Sequence, residues 1–252
     1  MFTEAPAELA KRRFEGRRPL LRAGWTDVLM IHYAVDPRRL QPYVAEPLDL
    51  FEGRAYVSLV VFSLDRLRFF GGGPSFPNHR FLNVRAYVRD NGIVFLAEWL
   101  TNALCVLLGP RIYGLPYRGG RIEYAPGHGR GRIVAREGTL EYRSRPLRAP
   151  ETCAPGGLDH FLMERYTAFT DRRLFHVWHE PWRRAETEVE ILDDSLIHST
   201  GDWFARAEPA GAHASPGLEE VWMGRPQRMG PAVSLHLPQR IGRSLSLQQE
   251  GL

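Results

Sequence analysis

Residues 81–100 read FLNVRAYVRDNGIVFLAEWL, two apolar and aromatic segments on either side of Asn91-Gly92. Asn-Gly between two such runs is the strongest short-range signal for a β-hairpin, because both residues accept the positive φ of a type I′ turn. A two-residue turn also fixes the register of the two strands. The sequence therefore predicts a hairpin in which Arg85 faces Glu98 and Tyr87 faces Leu96.

The two faces of this hairpin differ in character, because successive side chains on a strand point to opposite faces. One face is predicted to hold Val84, Ala86, Val88, Phe95, Ala97 and Trp99, and the other Arg85, Tyr87, Arg89, Val94, Leu96 and Glu98. Two interpretations of the Arg85–Glu98 pair stay open. It is an ordinary surface ion pair if the sheet is open to water, and it lines a cavity if the sheet closes.

A helix and a corner are predicted after the hairpin. Thr101 or Asn102 can cap a helix of sequence ALCVLL, which Gly109-Pro110 is expected to stop. The chain then passes through a proline, Tyr117, Arg118 and two glycines. This corner either presents both side chains to a site or is a connecting loop in which they are exposed.

The remaining segments predict more strands than helices. Runs at 25–33, 54–62, 121–124, 132–143, 158–170, 185–192 and 221–223 are typical of strands, and Asp36-Pro37 opens a short helix. The predicted fold class is therefore α+β, mainly antiparallel β, with a few short helices. We expect one domain over residues 24–225, a basic arm at 1–23, and a tail at 226–252 that is loose or forms a homo-oligomer contact.

Glu164 and Tyr166 lie two residues apart in the strand predicted at 158–170. Side chains at this spacing share a face, so an acid and a phenol would stand together. They form either part of a pocket or a hydrogen-bonded structural pair, and the sequence leaves both interpretations open.

Composition limits the classes of function. The chain has 252 residues, 44% of them hydrophobic and 25% charged, with a net charge of +4, which is ordinary globular composition. Without a signal peptide or a long apolar span, a cytoplasmic protein without membrane contact is expected. The basic arm suggests the hypothesis of nucleic-acid association. No recognisable nucleic-acid-binding module accompanies it, so a solvated arm is the favoured interpretation.

No metal or other cofactor is predicted. His176, His179 and Glu180 are residue types that bind metals, but positions three apart on a strand face opposite ways, and no third ligand follows at a familiar spacing. His32, within an apolar strand, is expected to be a half-buried, satisfied histidine rather than a catalytic base.

Several motifs resemble proteins of known fold. Residues 31–48 (IHYAVDPRRLQPYVAEPL) and the helix leading into residues 114–118 (GLPYR) are similar to acetoacetate decarboxylase-like proteins. A closer resemblance, to the YqjF-like family of bacterial proteins, lies in residues 81–88 (FLNVRAYV), 161–166 (FLMERY) and 179–182 (HEPW). These resemblances imply an acetoacetate decarboxylase-like β-barrel.

The corner departs from the decarboxylase pattern, which reads Pro-Lys-Lys and uses its first lysine to form a Schiff base. Tyr117 and Arg118 stand in the two lysine positions, and Lys11 is the only lysine in the chain. An imine needs an amine that loses its proton near neutral pH, whereas arginine, with a pKa above about 12, keeps its charge. The sequence therefore predicts that the protein is not a Schiff-base decarboxylase.

The resemblance implies a site for a small carbonyl or carboxylate compound inside the barrel. The predicted catalytic residues are Tyr117, Arg118, Glu98 and Glu164. The predicted substrate-binding residues are Arg85, Tyr87 and Tyr166. Guanidinium groups would hold a carboxylate or enolate, and a phenol with a carboxyl group would move a proton. The activity would be lyase-like on a keto acid or a related carbonyl compound. A non-catalytic ligand-binding or interaction barrel is the competing hypothesis.

Overall fold

Long antiparallel strands form most of the computed structural model, which describes residues 5–70, 72, 74–125, 129–170 and 172–229. The strands are β1 (Leu21–Val35), β2 (Ala55–Phe69), β3 (His79–Val88), β4 (Gly92–Leu100), β5 (Tyr117–Gly119), β6 (Arg121–Ala125), β7 (Arg130–Ala135), β8 (Gly138–Pro146), β9 (Glu151–Thr152), β10 (Thr167–Phe169), β11 (Arg173–His179), β12 (Arg183–Asp193), β13 (Glu208–Met223) and β14 (Gln227–Arg228). The predicted α+β class, mainly antiparallel β, is confirmed.

The helices are short. They are α1 (Pro6–Arg12), α2 (Pro37–Leu40), α3 (Ala103–Ile112), α4 (Leu158–Met163) and α5 (Ser195–His198), with 3-10 turns at Gln41–Tyr43 and Asp202–Arg206. None of the helices in the described residues has the length and apolar character needed to cross a membrane.

Seven strands close into a ring in the order β1, β2, β3, β4, β10, β11 and β13, and β13 pairs again with β1. Two of the contacts that close the ring, the parallel pairing of β4 with β10 and the antiparallel pairing of β11 with β13, extend over only three residue pairs each. The predicted barrel is therefore an irregular closed ring rather than a regular barrel.

The two faces of the ring pack into different cores. On β1, Leu29 and Ile31 face outward, where strands β6, β7 and β8 cover them with Ile122, Ile133 and Leu140. Val28 and Met30 of the same strand face the interior, together with inward residues of β2, β10 and β11. The alternation predicted from the sequence thus separates an outer apolar core from the ring interior.

The predicted hairpin is present as β3 and β4, and its tip differs by one residue from the prediction. Asp90 and Asn91, with φ of 59° and 53°, occupy the two positive-φ positions, and Gly92 N donates to Arg89 O at 3.1 Å. Both central residues are types that tolerate the left-handed region. The turn is therefore centred on Asp90-Asn91 rather than on Asn91-Gly92.

The predicted register of the hairpin is wrong. The observed pairs are Asn83 with Glu98, Arg85 with Phe95 and Tyr87 with Ile93. A bulge opposite Val84 and Arg85 adds Leu96 to β4, and it moves Phe95 to the inner face while Val94 and Leu96 pack against the outer core. Beyond the bulge the alternation is restored, so Arg85, Tyr87 and Glu98 still share the inner face.

Helix α3 begins as predicted and ends later. Asn102 Oδ1 accepts from the backbone N–H groups of Leu104 and Cys105, at 3.0 and 3.2 Å. The helix then continues through Gly109 and Pro110 to Ile112. Gly109 serves close packing rather than termination, because a Cβ there would lie 2.2 Å from the ring of Tyr117.

Two strand predictions need correction. The segment 158–170 is helical over α4, and only β10 at its end is a strand. The segment 132–143 spans two strands, β7 and β8, which pair with each other around a turn at Arg136-Glu137. Alternation alone did not separate a short amphipathic helix from a strand.

The predicted arm and tail are described only in part. Within the arm, α1 packs its Ala7 and Ala10 in a small cluster with Trp178 of β11, and β1 already begins at Leu21. Within the tail, Gln227 and Arg228 pair with β11, and residues 230–252 lie outside the described residues.

Candidate functional site

A cavity of about 80 Å³, called the inner chamber below, lies inside the ring. Its polar lining includes Asn83 and Arg85 from β3, Glu98 from β4, Tyr117 from β5 and Arg165 from the segment before β10. Aromatic and aliphatic residues of β1, β2 and β11 complete the wall. Pockets for drug-sized ligands measure about 300–1,000 Å³, so this chamber suits a compound of only a few heavy atoms.

Four buried polar atoms of the chamber lining have no hydrogen-bond partner within the described residues, namely Trp25 Nε1, Asn83 Oδ1, Arg85 Nε and Glu98 Oε2. Asn83, Arg85 and Glu98 are only 6%, 6% and 3% exposed. Buried polar atoms in folded proteins are nearly always paired, so each orphan needs an explanation. Their residues line one cavity, so the cavity wall offers unpaired polar groups.

Arg85 carries a buried positive charge that no carboxylate of the described residues pairs. Its Nη2 donates to Leu162 O at 3.1 Å and lies 3.5 Å from Met30 Sδ. The predicted ion pair with Glu98 is therefore not formed, because the changed register places Asn83 opposite Glu98. An isolated buried charge is costly, and an anion in the chamber would relieve that cost.

Burial favours the uncharged forms of Glu98 and Tyr117. It raises the pKa of Glu98 well above its usual range, and the protonated carboxyl group can donate a hydrogen bond. Burial, with a further contribution from Glu98, also raises the pKa of the Tyr117 phenol. The two residues are direct neighbours, because β5 runs parallel to β4 with Tyr117 beside Glu98.

Arg118 does not reach the chamber, and this corrects the predicted site. It lies on β5, where the sequence predicted a corner, and adjacent residues on a strand face opposite ways. Its guanidinium lies 5.5 Å from the ring centre of Trp99, on the outer face, and 3.4 Å from Glu137 Oε1. Tyr117 alone of this pair lines the chamber.

Glu164 and Tyr166 form the hydrogen-bonded structural pair that the sequence left open. Glu164 Oε2 accepts from the Tyr166 hydroxyl, and its Oε1 accepts from Trp182 N at 2.8 Å. The Tyr166 ring also stacks on His179, with ring centres 4.6 Å apart. Both carboxylate oxygens of Glu164 are thus engaged, and Glu164 is not part of the chamber lining.

Tyr87 is also engaged elsewhere, at one end of a buried hydrogen-bonded chain. Its hydroxyl lies 2.5 Å from Ser58 Oγ, which lies 2.6 Å from His32 Nδ1. His32 Nε2 lies 3.0 Å from His213 Nδ1, and His213 Nε2 lies 3.3 Å from Asp159 Oδ1. Burial lowers the pKa of His32 well below its usual range, so His32 is a neutral, satisfied histidine, as predicted.

Sequence reasoning missed three residues that shape the interior. Arg165 is buried with its guanidinium 2.7 Å from Asp49 and 5.0 Å from the ring centre of Tyr87. Asn83 supplies an orphan acceptor, and His213 closes the chain from His32. The face alternation of β3 placed Asn83 beside Arg85, but Arg165 and His213 meet partners more than a hundred residues away, for which no local signal exists.

The only lysine lies outside the ring. Lys11, on α1, has its Nζ 5.1 Å from the ring centre of Trp178, which packs on the outside of β11 with α1. His176 also lies outside the ring, where its Nδ1 is 2.6 Å from Arg13 Nη1. His179, in contrast, lines the chamber. The described residues contain no group of three side chains suited to hold a metal ion.

The sequence and the fold both match known proteins. Residues 22–219 match the DUF2071 family, which is described as a family of uncharacterized conserved proteins. The chain is 31% identical to the uncharacterized protein YqjF of Bacillus subtilis over 214 residues. The aligned region spans 75% of this chain and 85% of the Bacillus protein.

Solved structures extend the comparison to the fold. An acetoacetate decarboxylase-like enzyme from Sphingomonas wittichii matches with a TM-score of 0.58 and 16% identity, over 84% of this chain and 93% of that chain. The acetoacetate decarboxylase of Legionella pneumophila matches with a TM-score of 0.58 and 12% identity, over 85% and 88% of the two chains. At these identities the likeness concerns the fold alone. The sequence matches place this chain in the DUF2071, YqjF-like family, and the solved structures show that it has an acetoacetate decarboxylase-like fold.

Proposed function

We propose that the inner chamber binds a small acid with a carbonyl group next to or near its carboxylate, and that it does so without a covalent imine. The observation that carries this proposal is the convergence of three orphan polar atoms, from Asn83, Arg85 and Glu98, on one enclosed cavity. They offer an acceptor, a cation and a carboxylic acid. A keto acid supplies the complementary anion and carbonyl acceptor.

Charge decides how such a ligand is oriented. The carboxylate lies at Arg85, because a charge-assisted hydrogen bond to a buried guanidinium is the strongest interaction that the chamber offers. The carbonyl oxygen then accepts from the neutral Glu98 carboxyl group or from the Tyr117 hydroxyl. Asn83 Oδ1 remains available to a hydroxyl group, such as that of an enol.

The chemistry that this arrangement supports is proton transfer beside the carbonyl. Glu98 gives its proton to the carbonyl oxygen as a C–H bond on the adjacent carbon breaks, and the C–H electrons form the enol double bond; water accepts the second proton. The reverse steps restore the keto acid. Loss of CO₂ is disfavoured, because Arg85 stabilises the carboxylate that decarboxylation would consume.

A binding protein without catalysis is the second candidate. It is favoured by the state of neighbouring groups that could serve as a base. Burial lowers the pKa of His179 and so makes its imidazole a weaker base, and both carboxylate oxygens of Glu164 accept hydrogen bonds. Glu98 is then left without a protein base to take the proton from carbon.

A three-part experiment tests the proposal on the wild-type chain. Pyruvate and acetoacetate should raise the melting temperature in a thermal-shift assay, and acetone should not. Borohydride added to either mixture should leave the protein mass unchanged. Failure of both acids to bind would refute the proposal, and a lysine adduct would refute its non-covalent part. Exchange of the pyruvate methyl hydrogens in D₂O, followed by NMR, then separates the candidates, because only proton transfer accelerates it above the buffer rate.

A further inference from the structure

A second cavity lies beside the inner chamber. This outer chamber also measures about 80 Å³ and lies between α3, the end of β2 and the segment before β3. The two chambers share six wall residues, Leu64, Phe81, Leu115, Tyr117, Phe175 and Met223. They are therefore neighbours, and the rings of Phe81 and Tyr117, with centres 5.7 Å apart, stand between them.

The outer chamber is almost entirely apolar. Of its lining residues, His79 and Cys105 are the polar ones apart from the tyrosines, and both have partners within the protein. His79 Nδ1 lies 2.9 Å from Pro77 O, and its Nε2 lies 3.6 Å from Cys105 Sγ. Burial lowers the pKa of His79, so its imidazole is neutral. The chamber offers no charge to a ligand, and it favours a hydrocarbon group.

Helix α3 covers this chamber loosely. Its sequence, ALCVLLGPRI, is largely apolar, yet none of its residues is fully buried. Leu104 lines the chamber and is 47% exposed, so the chamber reaches the surface beside it. Leu108 lines the chamber one helical turn further along, whereas Leu107 points away from it and is 52% exposed.

We propose that the ligand is an amphiphilic keto acid whose hydrocarbon tail lies in the outer chamber. This inference rests on the proposed function, which places the carboxylate at Arg85. The tail leaves the inner chamber past Tyr117 and Phe81 and packs against Leu108 and the other apolar residues under α3. Short keto acids fill only the inner chamber and bind weakly.

Affinities of wild-type protein for pyruvate and 2-oxohexanoate, measured by calorimetry, test the length dependence. Burying one methylene tightens binding about fourfold, so the three added methylenes should tighten it about 60-fold. Leu108→Trp fills the outer chamber and should abolish this gain while keeping the affinity for pyruvate. Leu107→Trp places the same side chain on the exposed side of the same helix, and it should behave as wild type.

The outcomes separate the two proposals. Equal affinity of the wild type for both acids would overturn the tail site and leave the proposed function standing. A gain that Leu108→Trp retains would place the tail elsewhere and also overturn it. If neither acid binds, the proposed function and this inference are both overturned. If Leu108→Trp does not fold, Leu104→Trp, at the exposed edge of the same chamber, replaces it with the same expected loss of the gain.

Discussion

Tyr117 and Arg118 are consecutive residues whose side chains lie on opposite sides of the ring wall. The Tyr117 ring contacts Gly109 and lines the inner chamber, while the Arg118 guanidinium lies against Trp99 and Glu137 on the outside. The cation at the chamber is therefore Arg85, from the neighbouring hairpin. This separation makes Arg118 a matched control for experiments on Arg85.

Arg85→Met should keep or raise the stability of the protein. The substitution removes a buried cation that no carboxylate of the described residues pairs, at the cost of a hydrogen bond to Leu162 O and a weaker one to Met30 Sδ. Replacing buried charges by apolar side chains of similar size is often neutral or stabilising by about 1–4 kcal/mol. Urea denaturation of the variant and the wild type measures the difference. A loss of more than about 2 kcal/mol would show that Arg85 is a structural residue.

Glu98→Gln should become more stabilising as the pH rises. A carboxyl group whose folded pKa is raised holds its proton longer in the folded than in the unfolded state, so it costs stability above the unfolded pKa, near 4.3. Below about pH 4 the variant and the wild type should therefore be alike. Above it, the variant should gain up to about 1.4 kcal/mol per pH unit until the folded pKa is reached.

Denaturation of both proteins between pH 4 and pH 8 checks the Glu98 prediction. A difference in unfolding free energy that does not change with pH would mean that Glu98 is ionised in the folded protein, and its role as a proton donor would be excluded.

Gly109→Ala should destabilise the protein although alanine is the better helix former. Alanine gains about 1 kcal/mol in helix propensity, but its Cβ would lie 2.2 Å from the rigid Tyr117 ring. Overpacking costs about 1–3 kcal/mol and would also move Tyr117. Gly119→Ala is the matched control on β5, because nothing lies within 4 Å of a Cβ there. Thermal unfolding should show a lower melting temperature for the first variant only, and equal melting temperatures would contradict the contact.

Glu164→Ala should reduce stability rather than ligand binding. It would leave Trp182 N–H and the Tyr166 hydroxyl without an acceptor, and each such loss costs about 1–3 kcal/mol. Tyr166→Phe removes only one of the two bonds and should cost less. At a temperature where all three proteins are folded, pyruvate should bind them equally. A selective loss of binding in Glu164→Ala would return Glu164 to the site.

Local signals predicted those parts of the fold that depend on neighbouring residues. The Asn91-Gly92 pair located the hairpin turn to within one residue of its observed centre, Asp90-Asn91. The Asn102 side chain correctly marked the start of α3. The bulge at Leu96 had no such signal, because an extra residue in one strand is defined only by its partner strand. The predicted Arg85–Glu98 pair was wrong because the turn is centred one residue earlier than predicted, which places Glu98 opposite Asn83, although Arg85 and Glu98 both line the chamber.

Long-range packing decided the rest of the site. β5 has three residues and is ordered by its parallel pairing with β4, so the inward direction of Tyr117 and the outward direction of Arg118 could not be read locally. His213 lies in β13, a strand of sixteen residues. Its prolines, glycines and alanines interrupt the alternation by which a strand is predicted from sequence. Burial of Arg165 likewise depends on Asp49, 116 residues away.

The affinity of pyruvate for wild-type protein, Arg85→Met and Arg118→Ala, measured by calorimetry, tests most directly whether the chamber holds an acid. A lost charged hydrogen bond is worth about 1.5–3 kcal/mol, so Arg85→Met should bind at least about tenfold more weakly. Arg118→Ala should bind as the wild type does. Weaker binding by Arg118→Ala, with Arg85→Met unchanged, would contradict the account.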